Sequence, residues 1–126
     1  HAPEIAQKLQ IDFDEVHFVP HLIPLTRGML SSIYIQVPEN IDAKAILNTY
    51  YKDEHYVRIC KDPVDMKNTA GTNFCDIYVK QKGNILFIAS SIDNLLRGSS
   101  SQALANANLM MGLDEATGIS DIAYVP

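Results

Sequence analysis

The stretch Phe74–Ser91, FCDIYVKQKGNILFIASS, decides the class of fold. Two runs rich in β-branched and aromatic residues, Phe74–Lys80 and Asn84–Ser91, flank the polar Gln81-Lys82-Gly83, and this pattern predicts a β-hairpin. Upstream, Gly28 releases Met29–Val37, a similar run stopped by Pro38 and predicted to be a long, largely buried strand. Tyr56–Lys61 predicts a short strand, followed by a polar loop that holds Pro63, Gly71, Thr72 and Asn73. Val16–Val19 has strand character as well, ended by Pro20 and Pro24.

Helices are expected between and after these strands. Ala2–Leu9 begins with Pro3 near the first helical position and Glu4 close to the positive end of the helix dipole. Asp42 is a good N-cap for a helix whose Ala43, Ile46, Leu47 and Tyr50 fall at i, i+3, i+4 and i+7. Asp93 or Asn94 caps a final helix that runs to about Met111, where Gly112 supplies a stop. Strands paired locally with helices between them predict an α+β fold, a mixed, mostly antiparallel sheet with helices on one face.

Composition narrows the function classes. The chain has 126 residues, 47% hydrophobic and 20% charged, enough apolar surface to offset the entropy of ordering one domain. Its formal net charge of −5 comes without a Lys/Arg cluster, which argues against nucleic acid as a partner. Apolar runs such as Ile85–Ala89 are strand-sized, far below the ~20 residues that span a bilayer, so no membrane partner is expected. The amino terminus shows no charged region followed by an apolar one, so no signal peptide is expected in it, and reduced Cys60 and Cys75 in a cytoplasmic protein are the expectation. The chain begins at His1 without a methionine, which suggests processing, proteolysis or a deliberate cut. No strand is followed by a Gly-rich nucleotide fingerprint.

Chemistry-bearing residues are few. The final helix contains an unusual run of small residues interrupted by carboxamides, Arg97–Asn108, in which Gln102 and Asn106 lie four apart and so share a face. Two amides there can hydrogen-bond a ligand amide or a backbone, or they can be solvated groups on a tightly packed helix. Arg27, beside flexible Gly28, can clamp a carboxylate or phosphate through its planar donor fork, or be a surface arginine at a turn. His17 and His21 make a poor metal pair, and no metal is expected. Cys75 lies in a strand-like run beside Phe74, where a buried, inert thiol is the usual outcome. Tyr50, Tyr51, His55 and Tyr56 are assigned to packing.

The run Ser91–Gly118, SIDNLLRGSSSQALANANLMMGLDEATG, resembles the terminal segment of the N-acetyl-gamma-glutamyl-phosphate reductases. So do His1-x-Pro3-Glu4-Ile5, Phe18-x-Pro20-His21-Leu22-x-Pro24, Arg27-Gly28-x-Leu30-x-Ser32-x-Tyr34 and Gly71-Thr72-Asn73-Phe74-Cys75-Asp76, in the family's order. Ser99, Ser100, Ser101 and Ala105 depart from the family pattern. The resemblance implies a reductase in which a cysteine thiolate attacks an acyl phosphate, phosphate leaves, and NADPH delivers hydride to the thioester. It places the nucleotide-binding domain and the nucleophilic cysteine upstream of His1, so the chain alone is expected to be inactive. Residues 1–92 would then form a substrate and dimerisation domain, and 93–126 a helix and tail that return to that absent domain.

The resemblance also distributes roles. His1 is the first candidate for the proton carrier and His21 the second, although a ring that merely satisfies hydrogen bonds between two prolines is the plainer reading of His21. Arg27 would bind substrate, and Gln102 and Asn106 would contact NADPH or NADP. A homodimer or higher homo-oligomer acting on a small acyl phosphate in arginine biosynthesis is the implied assembly. Two alternatives stay open: the matching domain of a reductase for acetylaminoadipyl or aspartyl phosphate, and a free-standing interaction module that dimerises through its sheet.

Overall fold

The computed structural model describes residues 1–124. Helix α1 (Ala2–Leu9) is followed by a 3-10 turn at Phe13–Glu15 and an irregular stretch to Gly28. Then come β1 (Met29–Gln36), α2 (Ala43–Tyr50), β2 (Val57–Ile59), a 3-10 turn at Met66–Asn68, and the hairpin β3 (Cys75–Lys82) and β4 (Ile85–Ile92). A π-helical turn at Leu96–Ser100 runs into α3 (Ser101–Met110). The four strands form one sheet in the order β1-β4-β3-β2. Both pairings of β4 are antiparallel and β2 runs parallel to β3, the mixed, mostly antiparallel sheet expected.

The hairpin turns on Gly83-Asn84, with Lys82 opposite Ile85, so the strands run further towards the turn than the polar Gln81 and Lys82 suggested. Gly83 has φ +58°, which suits the first central position of a two-residue hairpin turn, and Gln81 donates its amide to the carbonyls of Pro38, Glu39 and Gly83. Pairing thus continues through polar residues because the turn and its amide clamp favour it.

Three expectations are corrected. Val16–Val19 forms no strand: Phe18 and Val19 are exposed, and prolines on its carboxyl side remove donors that a ladder would need. β1 is an edge strand rather than a buried one, with Leu30, Ile33, Tyr34 and Ile35 all exposed. The final helix is not uniform either. Gly98 N and Ser100 N bond five residues back, to the carbonyls of Asp93 and Leu95, so its first turn is π rather than α.

Side chains of β3 and β4 alternate between two faces. Val79, Gln81 and Leu86 meet the amino end of α2, and Ile92, on that same face, approaches Gly98 of the π turn. Asp42 caps α2 by accepting from Ala45 N at 2.9 Å, as expected, but Ile46 and Tyr50 of its apolar face stay exposed. The opposite sheet face is covered at one end by the Met66–Asn68 turn, through Thr69 on Ser91 and Arg58 on Asp76. Elsewhere on that face lie Leu30, Tyr34 and Phe87, with the Tyr34 and Phe87 rings 5.0 Å apart.

The interior is polar for its size. Tyr56, Ile77, Leu86, Ala89 and Ala105 are buried together with Thr69, Thr72, Asn73, Asp76, Ser91, Asp93, Ser101 and Asn108. The polar set gathers where β4 meets the loops around Gly71 and the start of the final helix, and that junction organises the site.

Candidate functional site

Asp93 follows the last residue of β4 and leads into the final helix, and it is fully buried. Its Oδ1 accepts from the backbone N–H of Leu95 and Leu96, each at 2.9 Å, so of the two cap candidates read from sequence, Asp93 and Asn94, it is Asp93 that caps. Its Oδ2 does something the sequence did not disclose. It accepts from Gly71 N at 2.7 Å and from Arg27 Nε at 2.9 Å, and it forms an ion pair with Arg27 Nη2 at 2.8 Å. Burial alone would raise this carboxyl, but Arg27 and then the N–H groups of Gly71, Leu96 and Leu95 outweigh it and hold the pKa at about 2. The neighbouring Asn94 accepts from Gly28 N at 2.8 Å. The dipeptides Arg27-Gly28 and Asp93-Asn94, 66 residues apart, are therefore docked side chain to side chain and side chain to backbone.

Gly71 is fixed from two sides. It has φ +74°, a Cβ there would overlap the carbonyl of Tyr124, and its own carbonyl accepts from Tyr124 N at 2.6 Å. The carboxyl tail is strapped along the same junction. Asn73 donates to Ser120 O, Tyr56 to Ile119 O, and His55 Nε2 lies 2.8 Å from Asp121 Oδ1. Asn108 of α3 donates to the carbonyls of Glu115 and Thr117, and Arg97 reaches Glu115 Oε1 at 3.1 Å through both terminal nitrogens.

The carboxamides share a face as the spacing predicted, since Gln102 Nε2 donates to Asn106 Oδ1 at 3.2 Å. Gln102 is half-buried and Asn106 exposed, while Ser101, Ala105 and Asn108 form the buried side of α3. That mutual bond leaves Gln102 Oε1 as an acceptor and Asn106 Nδ2 as a donor on the outer face, a pair matched to another carboxamide such as that of a nicotinamide.

The two candidate proton carriers, His1 and His21, lie in the amino-terminal segment. His1 packs edge-on against Phe18 with centroids 5.3 Å apart and holds Nδ1 3.6 Å from Glu4 Oε2. His21 Nδ1 lies 3.1 Å from Val19 O, an arrangement that orients the ring and leaves Nε2 outward. The structure thus joins Arg27 to the start of the helix that carries Gln102 and Asn106, whereas the close contacts of His1 and His21 stay local. Burial pushes the Cys75 thiol up, which keeps it protonated and inert. Among the described residues no group of three or more His, Cys, Asp or Glu side chains clusters as a metal site would require, and no helix is long and apolar enough to cross a membrane.

The family model described as "Semialdehyde dehydrogenase, dimerisation domain" matches residues 1–94, ending at the Asp93-Asn94 pair. The chain belongs to this family. It is 73% identical to the N-acetyl-gamma-glutamyl-phosphate reductase of Sulfurimonas denitrificans, 54% to that of a Sulfurovum species and 51% to that of Wolinella succinogenes. Each alignment takes in 100% of this chain, and the chain spans 38% of the length of each relative. The dimerisation-domain match covers α1 through β4, so the Arg27 and Asp93 ends of the ion pair both fall within it.

Proposed function

We propose that this chain is the substrate and dimerisation domain of a cytoplasmic, NADPH-dependent N-acetyl-gamma-glutamyl-phosphate reductase, which forms N-acetylglutamate semialdehyde and phosphate in arginine biosynthesis. The observation that carries the reading is the 73% identity, over every residue, to a reductase of that name. Residues 1–92 act as the dimerising unit, and 93–126 as the helix and tail that meet the nucleotide-binding part of the enzyme. Arg27 grips an oxyanion of the substrate with the donors that Asp93 leaves open. The outward acceptor and donor of Gln102 and Asn106 pair with the cofactor carboxamide. NADPH, when bound, supplies the reducing equivalents. His1 carries the proton to the developing alkoxide, with His21, oriented through Val19, as the second candidate.

The dimer uses the open sheet face. Leu30 and Tyr34 of β1 and Phe87 of β4 lie on the face away from α2, and a second copy presenting the same patch buries them isologously.

The test is activity of the full-length polypeptide. N-acetylglutamyl phosphate should be reduced with NADPH, and the gene should restore growth without arginine to a strain lacking this reductase. Turnover of aspartyl or acetylaminoadipyl phosphate in its place would assign a sister reductase, and a stable dimer with no reductase activity would make the chain an interaction module.

A further inference from the structure

We infer that Asp93 is the positioning residue of Arg27, aiming the unengaged edge of its guanidinium at a substrate oxyanion; this rests on the reading of Arg27 as a substrate-binding residue. Arginine carries five N–H donors in a planar fork. Arg27 donates Nε to Asp93 Oδ2 and holds Nη2 2.8 Å from the same oxygen, which leaves Nη1 without a partner among the described residues, and its side chain is 33% exposed while Asp93 is completely buried. One side of the fork is anchored in the interior and the other reaches solvent.

Asp93 does not need the arginine merely to be satisfied. Three backbone N–H groups, of Gly71, Leu95 and Leu96, already donate to its two oxygens. Gly28, next along the chain, is pinned at its own N–H by Asn94. The arginine is therefore fixed at the guanidinium and at the adjoining backbone, by residues of the same turn that begins the helix carrying Gln102 and Asn106. Such restraint removes much of the rotamer entropy that a free arginine would lose on gripping an anion.

Asp93 also cancels the formal charge of Arg27, so the pair recognises an oxyanion by donor geometry more than by net charge. This separates two outcomes. If charge governed binding, neutralising Asp93 would tighten it; if orientation governs, neutralising Asp93 weakens it.

The experiment uses the full-length enzyme run in reverse, with N-acetylglutamate semialdehyde, inorganic phosphate and NADP, so that the phosphate and semialdehyde KM values are separate. Asp93→Ser retains a hydroxyl able to cap Leu95 and Leu96 while withdrawing the arm that reaches Arg27, and Asp93→Asn retains the shape. In the native background either variant should raise one of the two KM values about tenfold or more, the scale expected for losing a charge-assisted hydrogen bond, with a smaller change in kcat. In an Arg27→Gln background the same substitutions should change that KM less than about twofold, although their effect on thermal stability persists. A rise in the phosphate KM assigns the phosphoryl group to Arg27, and a rise in the semialdehyde KM assigns the substrate carboxylate. Equal increases in both backgrounds, or a KM unchanged or lowered by the Asp93 substitutions, overturn the proposal. If Arg27→Gln alone leaves both KM values unchanged, the substrate role of Arg27 falls and the positioning role of Asp93 with it.

Discussion

Asp93 accepts hydrogen bonds from Arg27, Gly71, Leu95 and Leu96, and its carboxyl sits at about 2 against an ordinary 3.8. A carboxyl with a depressed folded-state pKa contributes stability that is fully present above its unfolded value and is lost as pH falls through the folded one. The window here runs from about pH 4 down to about pH 2, and the contribution at neutral pH is on the order of 2 kcal/mol. Asp93→Asn should lower the denaturation free energy at pH 7 by at least that amount, and the gap between native and variant proteins should narrow as pH falls below 4. Urea titrations at pH 7 and pH 2.5 check this; a constant gap would place the effect in lost packing. Sequence offered Asp93 or Asn94 as the helix cap because capping is local, within three residues. Its bond to Arg27 spans 66 positions, and nothing in residue type or spacing announces such a pair.

The final helix shows what residue pattern can and cannot say about an element. Gly98 lies in its π turn because a Cβ there would crowd the Asp93 carbonyl at 3.1 Å, so the small-residue run has a local steric cause at that position. Ser101 is buried and its Oγ has no hydrogen-bond partner among the described residues, whereas Asn108, two buried positions further along, satisfies two tail carbonyls. Opposite effects follow. Ser101→Ala removes an unpaired buried hydroxyl and improves helix propensity, and should leave thermal stability unchanged or raise it by about 0.5–1 kcal/mol. Asn108→Ala leaves the Glu115 and Thr117 carbonyls without that donor and should cost about 2 kcal/mol. Calorimetry of the two variants distinguishes them, and a destabilised Ser101→Ala would mean that the hydroxyl has a partner. On the outer face, replacing Gln102 and Asn106 together by Ala in the full-length enzyme should raise the NADPH KM several-fold with little change in stability, because among the described residues their only side-chain bond is to each other. Unchanged cofactor kinetics would reduce the pair to surface packing.

At the scale of the whole molecule, an eight-residue edge strand exposes apolar residues on both of its faces. Met29, Ile33 and Ile35 point one way and Leu30 and Tyr34 the other, with Tyr34 70% exposed and stacked near Phe87. A further apolar surface lies in the irregular segment at Phe18, Val19, Leu22, Ile23 and Leu25. Patches of this kind mark surfaces that meet other protein. Tyr34→Glu places a charge in the proposed dimer face and should weaken self-association at least tenfold while leaving the hairpin folded. Sedimentation equilibrium of the full-length protein measures it, and an unchanged association constant would move the interface elsewhere.

The hairpin, β1, α2 with its Asp42 cap and the position of α3 were legible in the amino-acid string because each depends on neighbours in the chain: alternation, helical spacing, a capping side chain, a glycine that stops or turns. The shared face of Gln102 and Asn106 was legible for the same reason. Strand order, the edge location of β1, the failure of Val16–Val19 to find a ladder and the docking of Arg27-Gly28 onto Asp93-Asn94 were not, because each depends on which distant segments compete for the same space and the same hydrogen bonds. Only the folded chain resolves that competition. It spends Arg27 partly on an interior carboxylate, a use of the residue that its Arg-Gly context does not reveal.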